Sequence, residues 1–429
     1  MMARFVYNLA LFALLPYVWL HLWLRSRKQP EYLEHVGERF GRYGGSTGGA
    51  LIWLHAVSVG ETRAAAPVVA ALKARYPGHR ILLTHMTPTG RRTSEELFGD
   101  GVERVYLPYD YAFAVRRFLA RFRPAVGVIL ETELWPNLVA ECRRQDIPLL
   151  LANARLSEKS ARRYARFPGL TRAALSNLAA IAAQTEADAA RLRALGAPRV
   201  EVLGNVKFDL LPPEAQLALG EALRQRIGPR PVLLAASTRE GEEALLLAAL
   251  TRRPLGEALL ILVPRHPQRF DEVAALAAKT GFALQRRSEA APVAATTQVL
   301  LGDSMGELFA YYAACDVAFV GGSLLDYGSQ NLIEACAVGK PVLIGRSTYN
   351  FSLAAEQALE CGAARQAGSA EELLEAAGAL LHDEAARRRM GEAGREFAAR
   401  HRGATARTME MIERYLPPTS HGGSPKLSG

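Results

Sequence analysis

Residues 51–76 read LIWLHAVSVGETRAAAPVVAALKARY, and this stretch decides the fold. Its opening, 51–54, is a continuous apolar run. A small-residue turn follows at Ser58 and Gly60, and then helical spacing from 61 to 76. A strand apolar on both faces that feeds a helix is the repeating unit of a parallel sheet covered on both sides. The alternation recurs outward from there. Apolar runs stand at 81–84, 125–130, 148–152, 178–183 and 200–203, with a helical segment at 135–145. At 210–216 the sequence LLPPEAQ breaks the pattern as a linker and helix start. It then resumes with runs at 231–236, 258–263, 297–301, 317–320 and 341–344, and residues 370–402, rich in Ala, Glu and Arg, read as outer helices. The pattern predicts two doubly wound α/β domains, residues 29–210 and 211–416. Their crevices, at the carboxyl ends of the strands, would face each other across a central cleft. The turn-rich tail 417–429 reads as disordered.

Ahead of the first domain, residues 5–24 read FVYNLALFALLPYVWLHLWL and are followed by Arg25, Arg27 and Lys28. The run has the length of a membrane-crossing helix. Interfacial aromatics (Tyr17, Trp19, Trp23) and basic flanks favour a cytoplasmic C-terminal side. A single anchor, residues 1–28, is the expectation; an in-plane helix is the alternative, since Asn8, Pro16 and His21 interrupt the apolar run.

Of 429 residues, 49% are hydrophobic and 22% charged, a globular balance. The net charge of +9 favours anionic partners. The basic residues are scattered rather than gathered with aromatics, which argues against nucleic acid. Four cysteines without C-x-x-C spacing suit apolar fillers, and neither they nor the nine dispersed histidines announce a metal site. The absence of G-x-G-x-x-G after either first strand, and of a P-loop, argues against dinucleotide and P-loop enzymes.

The chemistry-bearing residues sit where strands end. Glu61 opens a helix, where the dipole favours a carboxylate; it can serve as a general base or simply cap the helix. In ETELWPN, Glu131 and Glu133 leave a strand at its carboxyl end, facing the crevice or forming an ordinary turn. Lys207, near the linker, can reach a phosphate or carboxylate, or stay a solvated charge. In the second half, Pro264, Arg265 and His266 end a strand, and Arg suits forked bonds to phosphate. Residues 302–306 and the glycine-rich 321–328 precede helices, whose N-termini bind anions, and Glu334 lies one turn into the second of them.

Taken together, SVGET (58–62), TPTG (87–90), ETELWPN (131–137), LANARLS (151–157), GNVKF (204–208), LVPRHP (262–267), GDSMGEL (302–308) and GGS…NLIEA (321–335) resemble, in order and spacing, the 3-deoxy-D-manno-octulosonic acid (Kdo) transferases. The resemblance runs over practically the whole chain. It implies a GT-B fold of two Rossmann-like domains and an inverting, metal-independent transfer with no cofactor. Kdo would move from CMP-Kdo to the lipid A precursor lipid IV-A, at the cytoplasmic face of the inner membrane. By motif position Glu61 matches the general base, and Glu131 and Lys207 match residues supporting the transition state. Arg265 and His266, Met305, Gly306 and Glu307, and Asn331, Leu332, Ile333 and Glu334 match the CMP site. One departure stands out: Ser329 occupies a position that is commonly glycine in the family. Two other readings fit the same features, a GT-B transferase using a UDP-sugar on another lipid acceptor and a non-catalytic adaptor binding anionic lipid.

Overall fold

The computed structural model describes residues 2–27, 29–44 and 48–416. Lys28 and the tail 417–429 lie outside the described residues. The chain divides into two compact units, one containing residues up to Asp209 together with residues from Arg402 onward, the other Leu210–His401.

The first unit is built on seven parallel strands: β1 (Leu51–His55), β2 (Arg80–His85), β3 (Glu103–Tyr106), β4 (Val126–Leu130), β5 (Leu149–Ala154), β6 (Ala180–Ala183) and β7 (Val200–Val202), in the order β3-β2-β1-β4-β5-β6-β7. Alternate side chains of β1 serve opposite faces, as the strand period requires. Ile52 and Leu54 join Ala64, Val68 and Leu72 of the helix Val59–Arg75. Leu51 and Trp53 join Val115, Phe118 and Phe122 of the helix Ala112–Phe122. Gly127 makes room for Trp53: a Cβ there would stand 2.6 Å from the indole. His55 and His85 are buried where β1 and β2 end. Burial first, and in the case of His55 also its neighbour His85, lowers their pKa values to about 3 and about 4, so both rings are neutral.

The sequence reading placed residues 402–416 in the second domain, and the structure corrects this. The helix Ala404–Glu413 belongs to the first unit, where Met409, Met411 and Ile412 pack on the Ile52–Leu54 face. Asp209 fixes the return of the chain, its carboxylate accepting the N–H groups of Gly403 (2.6 Å) and Thr405. Arg407 donates to the Leu203 carbonyl at 2.9 Å. Adjacency in sequence to the helices of 370–402 misled the assignment, because an amphipathic stripe does not name its partner.

The second unit repeats the design with β8 (Val232–Thr238), β9 (Leu259–Pro264), β10 (Leu284–Arg286), β11 (Val299–Leu301), β12 (Val317–Val320), β13 (Val342–Ile344) and β14 (Ala364–Gln366), ordered β10-β11-β9-β8-β12-β13-β14 and all parallel. In each sheet the order reverses beside the first strand, between β1 and β4 and between β8 and β12. Such switch points open a crevice at the carboxyl ends.

The expected single N-terminal helix is two, Met2–Ala13 and Leu15–Ser26, meeting at a 50° bend, and among the described residues no single helix is long and apolar enough to cross a membrane. Pro16 explains the break: it lacks an N–H to continue the ladder and its ring crowds the preceding turn. The pair is fastened to the first unit. Tyr7 donates to Asp110 (3.0 Å), the Asn137 amide to Asn8 (2.6 Å) and the Tyr111 hydroxyl to the Leu11 carbonyl (3.0 Å), while Trp19 stacks on Phe40. Phe5, Leu9, Tyr17 and Trp23 remain more than half exposed.

Candidate active site

The loops after β1 and β4 meet at the switch point of the first sheet, and both carry acids. Glu61 sits in the first turn of Val59–Arg75, whose N-cap is Ser58. Its carboxylate folds back, accepting the Val57 N–H at 2.6 Å and the Ser58 hydroxyl at 3.1 Å. Capping and catalysis are therefore compatible here, since the capping bonds fix the rotamer. The expectation of a readily ionised carboxylate is corrected. Burial pushes Glu61 up to about 8, with the negative charge of Glu131 and then Glu133 adding to it, against the Val57 and Ser58 hydrogen bonds. A helix dipole at a terminus is a weak opponent, about 0.3–1 kcal/mol at an exposed site, and burial beside like charge wins.

Glu131 follows β4 with φ +62° and donates its N–H to the Ala152 carbonyl at 2.9 Å. A non-glycine residue in this region is strained by about 1–2 kcal/mol, a pattern that concentrates at functional sites. Its Oε1 lies 2.7 Å from Lys207 Nζ. Glu133 is raised by burial and then by Glu131. Lys207 arrives from the far edge of the sheet, in the 3₁₀ turn Val206–Asp209 that follows β7. Asn153, also at positive φ (+55°), accepts the Val206 N–H at 3.2 Å and ties that turn to the end of β5. The structure thus brings the charges of Glu61, Glu131 and Glu133 close enough to act on one another, with the Lys207 ammonium paired to Glu131. The positioning role of Asn153 was missed; its only trace in sequence was its place within LANARLS.

In the second unit the loops after β11, β9, β8 and β12 lie side by side. Arg265 and His266 leave β9, with Arg265 Nε donating to Gln330 Oε1 at 3.2 Å. Burial, then Arg265, Arg239 and Arg269, holds the His266 pKa down. Arg239, after β8, joins this cationic group and stacks on Tyr327 at 4.6 Å. Sequence reasoning passed over it, although it follows a strand end just as Arg265 does. Met305 is half exposed, Gly306 has φ +79°, and Glu307 accepts from Ser304 at 2.7 Å with Arg287 at 3.6 Å.

The structure also places the remaining residues expected at this site. Leu332 and Ile333 are fully buried, as is Pro264, so their side chains belong to the core. The helix expected near Asn331 is the six-residue Ile333–Val338. Asn331 caps it, accepting the Ile333 N–H and donating to Glu334 Oε1, both at 3.1 Å. The N–H groups of Gly322, Ser323 and Leu324 all point into the carboxylate of Glu242. Ser329, where glycine is usual, has φ +67°, so its backbone adopts the glycine-type conformation at a cost of about 1 kcal/mol.

Residues 34–210 match the family model described as 3-deoxy-D-manno-octulosonic-acid transferase (kdotransferase), and 279–397 that of glycosyl transferases group 1. The chain is 46% identical to a 3-deoxy-D-manno-octulosonic acid transferase of Bordetella pertussis, covering 97% of this chain and 100% of that one. It is 39% identical to the protein of that name from Haemophilus influenzae, covering 97% and 99%. Among solved structures, a glycosyltransferase from Rickettsia africae aligns with TM-score 0.58 at 14% identity, covering 88% of this chain and all of the other, a likeness of fold. The two parallel-sheet units are those of a GT-B glycosyltransferase, and the chain belongs to the Kdo transferase family.

Proposed function

We propose that the protein moves Kdo from CMP-Kdo to a hydroxyl of lipid IV-A, with inversion at the sugar. The observation that carries this reading is the Glu61 carboxyl, held by two hydrogen bonds at the first switch point and raised to about 8 by burial beside Glu131 and Glu133. A neutral alcohol is a poor nucleophile, and a base whose pKa lies near the working pH removes its proton most effectively. Departure of CMP leaves an oxocarbenium-like centre. Because the leaving group is an already activated phosphate, it needs positive charge more than a proton. Arg265 and Arg239 supply that charge in the second unit, and the proposal includes no metal ion. Lys207 and Glu131 hold the electrostatics around the base. The relatives named as 3-deoxy-D-manno-octulosonic acid transferases, at 46% and 39% identity, support Kdo as the sugar moved, and CMP as its carrier follows from the motif resemblance. The catalytic set argues against a non-catalytic adaptor. Millimolar CMP is expected to raise the melting temperature by several degrees and UDP by much less, since a ligand stabilises only the state that binds it. An equal or larger shift with UDP would favour a UDP-sugar donor.

We also infer that the bent helix pair lies in the cytoplasmic surface of the inner membrane, beside the acceptor lipid. Its outward Phe5, Leu9, Tyr17 and Trp23, flanked by Arg25 and Arg27, form the apolar face and basic rim of an interfacial helix. The wild-type protein is expected to float with anionic lipid vesicles. The combined variant Phe5→Glu, Leu9→Glu, Trp23→Glu should lose at least nine-tenths of the bound fraction, whereas undiminished flotation would place the anchor elsewhere.

A further inference from the structure

At the switch point of the second sheet, between β8 and β12, the most heavily hydrogen-bonded carboxylate is one that the proposed reaction does not use. Glu242 opens the helix Glu242–Arg252 and is fully buried. Its Oε1 accepts the N–H groups of Ser323 and Leu324, both at 3.0 Å, and its Oε2 those of Gly322 (2.6 Å) and Arg239 (2.8 Å). Three successive backbone N–H groups converging on one point form a nest of the kind that binds phosphate. Here the protein fills the nest with its own carboxyl group.

The loops joined by Glu242 are tightly shaped on every side. A Cβ on Gly321 would stand 2.7 Å from Thr238 Cα, and one on Gly345 would stand 2.0 Å from the Ser323 carbonyl oxygen. Ser237, leading into the first loop, has φ +55° and Gly322, in the second, has φ +72°. The far limb of the second loop is tied back by Ser329 N–H to the Gly322 carbonyl (2.6 Å) and Gln330 N–H to that of Gly321 (2.9 Å). Gln330 in turn accepts from Arg265. A chain of direct contacts therefore runs from Glu242 through 321–322 to Gln330 and Arg265, and a second runs through the Arg239 backbone to its guanidinium.

We infer that Glu242 is the positioning residue of the donor site. Its carboxylate, accepting four backbone N–H groups, is the template on which the loops after β8 and β12 are folded, and it sets where Arg239 and Arg265 present their charge. Donor phosphate is accordingly recognised by these side chains, while the N–H groups of 322–324 are already engaged. The inference rests on the donor reading proposed above.

Glutamine nearly matches glutamate in size, but it offers one acceptor oxygen and an NH₂ donor group. In Glu242→Gln, two of the four N–H groups would face that NH₂ and lose their acceptor. Expected for the full-length variant are a tenfold or greater rise in KM for CMP-Kdo with KM for the lipid acceptor unchanged within twofold, and loss of amide-exchange protection at 322–324. Leu373→Ala, a cavity in the core of the same unit that leaves Glu242 and its hydrogen-bond partners in place, controls for general destabilisation; it should lower the melting temperature without moving donor KM. If Glu242→Gln does not fold, Glu242→Asp, which keeps the charge but pulls it back one methylene, should show the same selective rise at smaller size. Unchanged donor KM, or unchanged exchange at 322–324, in a folded variant overturns the inference. A wild-type protein that fails to respond to CMP would instead overturn the donor reading, and the exchange experiment would still decide the role of Glu242.

Discussion

Glu61→Gln is expected to lower kcat by about 10²–10⁴-fold with little change in either KM, the span typical for removal of a general base. Glutamine keeps the local bonds, its oxygen accepting from Val57 and its NH₂ donating to Ser58, so the helix start survives. The wild-type rate should climb with pH and level off above about 8, because the base acts only after losing its proton. The stability effect runs the other way. With its folded pKa raised from 4.5 to about 8, the native protein binds more protons than the unfolded chain across that window. The contribution of Glu61 is fully favourable below 4.5 and is lost as pH rises through 8. Glu61→Gln should therefore match the wild type in stability near pH 4.5 and exceed it near pH 8, by an amount on the order of a few kcal/mol. Paired melting curves and rate profiles check both signs. A variant that is active, or one whose stability advantage shrinks with pH, contradicts the role given to this carboxylate.

Lys207→Ala is expected to have the second largest effect. The ammonium lies 2.7 Å from the Glu131 carboxylate. Without it, the charge of Glu131 acts undiminished on Glu61 and Glu133. The rising limb of the rate profile should then move up by about one pH unit. Activity should fall by about 10²-fold, and stability by about 1–3 kcal/mol from the partly buried charge left unpaired. Glu131→Gln should move the limb the opposite way, toward acid, since it deletes a charge that raises Glu61. Rate profiles of the two variants displaced in the same direction would show that Lys207 and Glu131 do not act through the base.

The strands most legible in sequence were those buried on both faces. β1, β4, β5, β8, β9 and β12 are continuous apolar runs with fully buried patterns. β3, β10 and β14 escaped notice because they are sheet edges: ERVY, LQR and ARQ carry charge toward solvent and show no apolar run. The N-terminal bend was half legible, since Pro16 and Asn8 were visible interruptions, but the Asn137 amide that donates to Asn8 lies far off in sequence. In the site, strand-end placement brought out Glu61, Glu131 and Arg265. The raised pKa of Glu61 could not be read, because it arises from burial and from acids 70 residues on. Lys207 looked like a surface charge until Asn153 folded its turn against β5. The glycine-rich loop misled most, since its composition suggested an open anion nest and only the fold reveals that Glu242 already occupies it.

The most direct measurement is the mass of the lipid made when purified full-length protein is given lipid IV-A and CMP-Kdo. The predicted product is lipid IV-A increased by one or more Kdo residues, formed by the wild type and not by Glu61→Gln at matched protein concentration. Lipid IV-A recovered unchanged from the wild-type reaction, or modified only when a UDP-sugar replaces CMP-Kdo, would contradict the proposed transfer.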